Sequence, residues 1–142
     1  MTEYVVVLTT AVVVIGICVA IHYEALRFLS NVIRHYRVPR RGLIVAVLGL
    51  LAVHTLEIWF FGGVYLLLDQ WASLGTVTGG PATMTFMDYV YYSSSVYTTL
   101  GFGDLVPIGA VQLLTGSEAL AGLSLITWSA SFTFLEMQRL WS

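Results

Sequence analysis

The sequence predicts an all-α membrane protein with three transmembrane helices and one short re-entrant helix, and three observations carry that prediction. Of its 142 residues, 58% are hydrophobic and 10% charged, whereas soluble domains carry about 25% charged residues. Three apolar stretches are each long enough to cross a hydrocarbon core of about 30 Å, which takes about 20 helical residues. All six basic residues are arginines, and five of them fall between Arg27 and Arg41. The net charge of −2 therefore says little, while the placement of the positive charges says much.

The first span is expected within residues 1–30, as a peripheral helix over Tyr4 to Ser30. From Val5 to Ile21 only Thr9 and Thr10 interrupt the apolar run. Its β-branched residues favour a strand in water, but a lone strand in lipid leaves its backbone polar groups unpaired, so helix wins. No cleavage pattern precedes the run, which is too long for the core of a signal peptide and is expected to stay in the mature chain. Cys18 reads as a small buried hydrophobe and, as the single cysteine, cannot form an intrachain disulfide.

Residues 31–42 read as an arginine-rich loop. The second span, 43–68, carries His54 and Glu57 as its only strongly polar interruptions. A polar, glycine-bearing connection follows over 69–82. Residues 84–97, rich in tyrosine and serine, are too short and too polar to span. Following Pro81, with Thr83 or Thr85 as N-cap, they read as a helix of about 12 residues. The third span, 108–137, begins just after Pro107, a residue suited to a helix N-terminus.

Short loops rich in arginine stay cytoplasmic. Residues 31–42 therefore face inward, the N-terminus faces outward, and residues 69–107 enter from the outer side. Arg34, Arg37 and Arg40 recur every third residue, as in a voltage-sensing helix. Pro39 breaks any such helix, and a solvated loop that holds topology is the better reading.

Between the short helix and the third span runs Thr98-Thr99-Leu100-Gly101-Phe102-Gly103-Asp104, followed by Val106-Pro107. Glycine weakens helices and strands, so two glycines separated by one aromatic residue point to backbone put to use. Positive φ at Gly101 and Gly103 lets successive carbonyls face one side, and a row of such oxygens can replace the water around a cation. The stretch resembles the selectivity filter of potassium channels, Thr-Val-Gly-Tyr-Gly, with Leu100 for the valine and Phe102 for the tyrosine. From about Leu43 onward the chain is similar to the two-transmembrane pore domain of small bacterial potassium channels, with one extra N-terminal helix. The resemblance assigns 43–68 to the outer helix, 84–97 to the pore helix, 98–104 to the filter and 108–137 to the inner helix.

What the resemblance implies is a multi-pass protein of the cell (inner) membrane that conducts potassium passively, with no enzymatic activity. Potassium ions in the filter, and no organic cofactor, are the implied ligands. The carbonyls of Thr99, Leu100, Gly101 and Phe102 would coordinate them, with the Thr99 hydroxyl lining the innermost site. Thr98, Gly103, Asp104, Ser95, Tyr91 and Tyr92 would support the filter, Phe102 packing on Tyr91 or Tyr92 and Asp104 sitting at the outer mouth. The pore helix would aim its partially negative C-terminus at the cation path. Related channels place four filter strands around an axis, so the expected assembly is a homotetramer in lipid, without nucleic acid or a partner subunit. Phe102 lacks the tyrosine hydroxyl, and Ser95 stands where some relatives carry a glutamate that braces the filter through the following aspartate. The alternative function is a weakly selective monovalent cation channel.

His54 and Glu57 share a helix face, and residue counts along the spans place both, with Glu118, near the membrane midplane. Ionisable groups at that depth are paired or functional. The expected pairing is an interhelical bond from His54 or Glu57 to Glu118; the sharper possibility is a pH-sensitive latch. Metal binding by these residues has little support, since the spacing defines no third or fourth ligand. His22, Tyr23 and Glu24 read as interfacial anchors. Gly122 is the gating-hinge candidate on the inner helix, with close helix packing as the other reading.

Overall fold

The computed structural model describes residues 1–35 and 39–141. Four helices account for most of them: α1 (Thr2–His35), α2 (Pro39–Leu68), α3 (Phe86–Tyr97) and α4 (Val111–Trp141). Three of these, over Thr2–Arg34, Arg41–Leu68 and Val111–Arg139, are long and apolar enough to cross a membrane. The chain is an all-α, multi-pass membrane protein.

The helices overrun the spans expected from hydropathy. Helix α1 continues past Ser30 to His35, and Pro39 opens α2, a position where its missing N–H costs nothing. Of the arginines assigned to the 31–42 loop, Arg37 lies outside the described residues.

Two further differences sit at the other end of the bundle. The 69–82 connection contains a single 3₁₀ turn at Ala72–Leu74 and a short strand, β1 (Thr76–Thr78). It pairs antiparallel with β2 (Val106–Ile108), Val77 opposite Pro107. Pro107 is therefore a strand residue and not the start of the third span, which begins at Val111. A proline is tolerated there because the ladder has only two strands, and a residue on an edge can lack a donor.

Helix α3 is cradled between α2 and α4. Its inner face, Tyr89, Tyr92, Ser93, Val96 and Tyr97, is buried against Phe61 and Tyr65 of α2 and Leu114 of α4. The α2–α3 contact is close because residue 62 is glycine: a Cβ there would lie 2.9 Å from Val90 Cγ2 and 3.0 Å from its Cα. Helix α1 lays Val7, Ala11, Val14 and Cys18 onto the same core. Its opposite face, with Val12 and Phe28, stays exposed, as expected for a surface whose solvent is lipid.

Candidate functional site

Helix α3 starts where its capping chemistry says it should. The Asp88 carboxylate accepts the Thr85 N–H and hydroxyl, both at 2.7 Å, which supplies partners at a terminus that the helix itself cannot supply. Those bonds, the backbone one first, hold the Asp88 carboxyl below its ordinary range.

At the other end the helix does not simply stop. Thr98 is right-handed (φ −82°), and then Thr99 (φ 59°), Gly101 (φ 55°) and Gly103 (φ 81°) adopt positive φ at every second residue. Such alternation turns successive carbonyls to one side, which an extended chain cannot do. For the two glycines this is unstrained, whereas a β-branched Thr99 stores strain. The strain is held by local bonds, Thr99 N–H to Val96 O at 2.9 Å and Gly101 N–H to Ser95 O at 3.0 Å. Residues 98–104 are exposed on the single chain, Leu100 and Phe102 at 61% and 62%.

Behind this loop stands Tyr91. Its ring stacks on Phe102, with centroids 6.1 Å apart and planes 7° from parallel. Its hydroxyl donates to Asp104 Oδ2 at 2.8 Å, and that bond pushes the phenol above its ordinary pKa. Asp104 Oδ1 accepts the Leu105 N–H. Tyr92 turns away, bonding Thr115 at 2.9 Å and packing edge-on to Tyr65. The Ser95 hydroxyl does not reach Asp104; it donates to Tyr92 O at 2.8 Å, and Ser95 serves the loop through its carbonyl.

The polar residues within the spans are sorted differently from expectation. Glu118 meets neither His54 nor Glu57. Its carboxylate accepts from Ser93 Oγ at 2.5 Å and Tyr65 Oη at 2.6 Å, tying α4 to α3 and α2. Its place on α4 is about 16 Å from the level of Ser129, the α4 residue that His54 does bond. His22, expected at the interface, is fully buried and lies 3.0 Å from Glu57 Oε1. The His22 and His54 rings are 5.1 Å apart. Residue counting misplaced them because the helices extend beyond the hydrocarbon, so their ends do not mark membrane depth. Tyr23 and Glu24 do remain exposed, Glu24 pairing with Arg27.

Tyr97 and Ser129, which nothing in the sequence linked to these residues, complete the His22–Glu57–His54 group. Tyr97 donates to Glu57 Oε2 at 2.5 Å and contacts His54 Nδ1 at 2.8 Å, while Ser129 bridges His54 Nε2 and His22 Nε2. Ligand atoms of His22, His54 and Glu57 lie within 4.8 Å of one another, so a third metal-capable residue exists where spacing alone showed two. Gly122 faces the same residue: a Cβ there would collide with the Tyr97 carbonyl oxygen. In this conformation Gly122 is a packing glycine in an unbroken α4.

A short helix ending in a glycine-bearing loop, packed among three helices long and apolar enough to cross a membrane, is an arrangement that suits a membrane conduit. A family model described as "Ion channel" matches residues 53–139. The chain belongs to that ion channel family, whose members are conduits and not enzymes. The match takes in the second half of α2, all of α3 and nearly all of α4, and leaves α1 outside. No curated protein and no solved structure matches the chain.

Proposed function

We propose that the protein is a potassium-selective channel, a homotetramer in the cell membrane whose four 98–104 loops line one axis. The observation that carries this reading is the positive φ at Thr99, Gly101 and Gly103, which suits the carbonyls of Thr99, Leu100, Gly101 and Phe102 to ring a dehydrated cation. In support, Tyr91 grips the loop from one side through Phe102 and Asp104, leaving the other side for the ions. A single chain contributes one such strand, and its exposure here fits a surface completed by further copies. Asp104 concentrates cations at the outer mouth.

The test is flux in lipid vesicles containing the purified protein. Potassium flux blocked by barium and abolished by Gly101→Ala is expected, because alanine disfavours φ near 55°. A reversal potential near zero in a potassium/sodium gradient would overturn selectivity and leave a weakly selective cation channel.

A further inference from the structure

The buried polar group beneath the filter is a closed ring. His22 Nδ1 meets Glu57 Oε1 at 3.0 Å, Glu57 Oε2 meets Tyr97 Oη at 2.5 Å, and Tyr97 Oη meets His54 Nδ1 at 2.8 Å. His54 Nε2 then meets Ser129 Oγ at 2.9 Å, and Ser129 Oγ returns to His22 Nε2 at 3.1 Å. Five side chains from four helices make these five contacts, each of which needs one proton, and His54 Nδ1 also lies 3.3 Å from Glu57 Oε2. One carboxylate, one imidazolium, one neutral imidazole and two hydroxyls supply five protons in total and give a net charge of zero. The extra proton can sit on either histidine, provided the Ser129 hydroxyl turns toward the other. Remove it, and Ser129 can donate to only one of the two Nε2 atoms, while a buried net negative charge is left behind. Add a sixth proton, and the ring becomes cationic. Buried charge without a partner is costly, so the neutral ring is the favoured one.

We propose that this ring positions the inner end of the filter, and that His22, on a helix outside the family match, is a positioning residue for conduction through Glu57 and Tyr97. Tyr97 is the last residue of α3, so whatever holds its ring and hydroxyl also sets where the filter backbone begins. The protonatable groups of the ring itself are the Glu57 carboxyl and the two imidazoles. Cys18 of α1 and Glu118 of α4 are the other titratable groups whose fields reach the ring, and the indole of Trp128 flanks His22 at 5.6 Å. Protons have a way in: His54, Tyr97 and Ser129 border a cavity of about 670 Å³ that also touches Thr98. The three metal-capable residues do not compel a metal site, since among the described residues no buried side-chain polar atom lacks a partner.

The proposal deepens the channel reading and rests on it. Currents of the wild type, His22→Gln and Glu57→Gln are recorded in bilayers from pH 5.5 to 9.5, with reversal potential measured in the same records. The wild type is expected to hold a plateau near neutral pH and to lose current about fivefold toward pH 9.5, the ratio that one hydrogen bond sets. Glu57→Gln, which has no carboxylate for the extra proton to neutralise, should lose that alkaline limb while still conducting. His22→Gln should shift or flatten it. A flat wild-type profile, or variants that keep the wild-type profile, would overturn the ring. So would current altered by zinc and restored by chelator in the wild type but not in His22→Gln, which would make the group a metal site. Loss of potassium selectivity in the reversal potential overturns the selectivity in that reading alone, since the pH profile is read from whatever cation carries the current.

Discussion

Tyr91 holds Asp104 from behind the loop, its hydroxyl 2.8 Å from Oδ2 while its ring lies flat on Phe102. One residue of α3 thereby grips the aromatic and the acid that flank Gly103. In Tyr91→Phe the stack survives and the hydrogen bond is lost. Steady current should then decay about threefold faster than in the wild type, read from macroscopic currents under constant voltage. The phenol stands above its ordinary pKa of 10, so the bond is complete at neutral pH and is lost only as pH rises through that raised value. An unchanged decay rate would remove Tyr91 from filter support.

The cap of α3 has its own pH window. Asp88 sits below its ordinary value of 3.8, so the stability it adds is fully present above that value and is lost as pH falls through the lowered one. Amide exchange at Asp88 and Tyr89, whose N–H groups bond to Thr85 O, should stay slow at pH 5 and quicken only in stronger acid. In Asp88→Asn the acid-dependent step should disappear.

Glu118 takes two hydroxyl donors in the core. Glu118→Ala leaves Ser93 without its side-chain acceptor and Tyr65 with only Thr115, at 3.3 Å. A loss of about 2–4 kcal/mol is expected, seen as a lower thermal midpoint in detergent. A midpoint within a degree of the wild type would show that the two hydroxyls find other partners.

Two helix glycines separate packing from propensity. Gly122→Ala forces a methyl against the Tyr97 carbonyl and should destabilise the protein by about 1–3 kcal/mol. Gly16→Ala places a methyl where nothing lies within 4 Å and should be neutral or raise stability by up to about 1 kcal/mol. Parallel thermal unfolding of the two variants checks both; equal midpoints would contradict the close α4–α3 contact.

Much of the fold was legible because hydropathy reports directly on lipid exposure. The three spans, the short helix and a threonine cap at 83 or 85 could all be read from residue type and spacing, and the structure selects Thr85. So could the positive φ of Gly101 and Gly103, since no other residue adopts it as cheaply. Thr99 could not be read this way, because a β-branched residue carries no local sign of a conformation that its neighbours impose. His22 was hidden for another reason. Depth was inferred by counting from helix ends, yet α1 runs 34 residues and α2 30, far beyond the 20 or so that a membrane needs. Only packing of α1 on α2 and α4 reveals that His22 and Glu57 share a level. Pro107 was misread because its two permitted places, a helix start and an edge strand, look alike in sequence.

The short ladder joining Thr76–Thr78 to Val106–Ile108 has a topological consequence. The chain departs at Gly79 and returns at Leu105 to the same spot, so the segment between them is a closed loop clasped at its neck. Spreading of the ends of α2 and α4 that lie away from the ladder is then not transmitted as tension along the backbone into the loop. Movement at the far end of the bundle can reach the 98–104 loop only sideways, through the flank of α3.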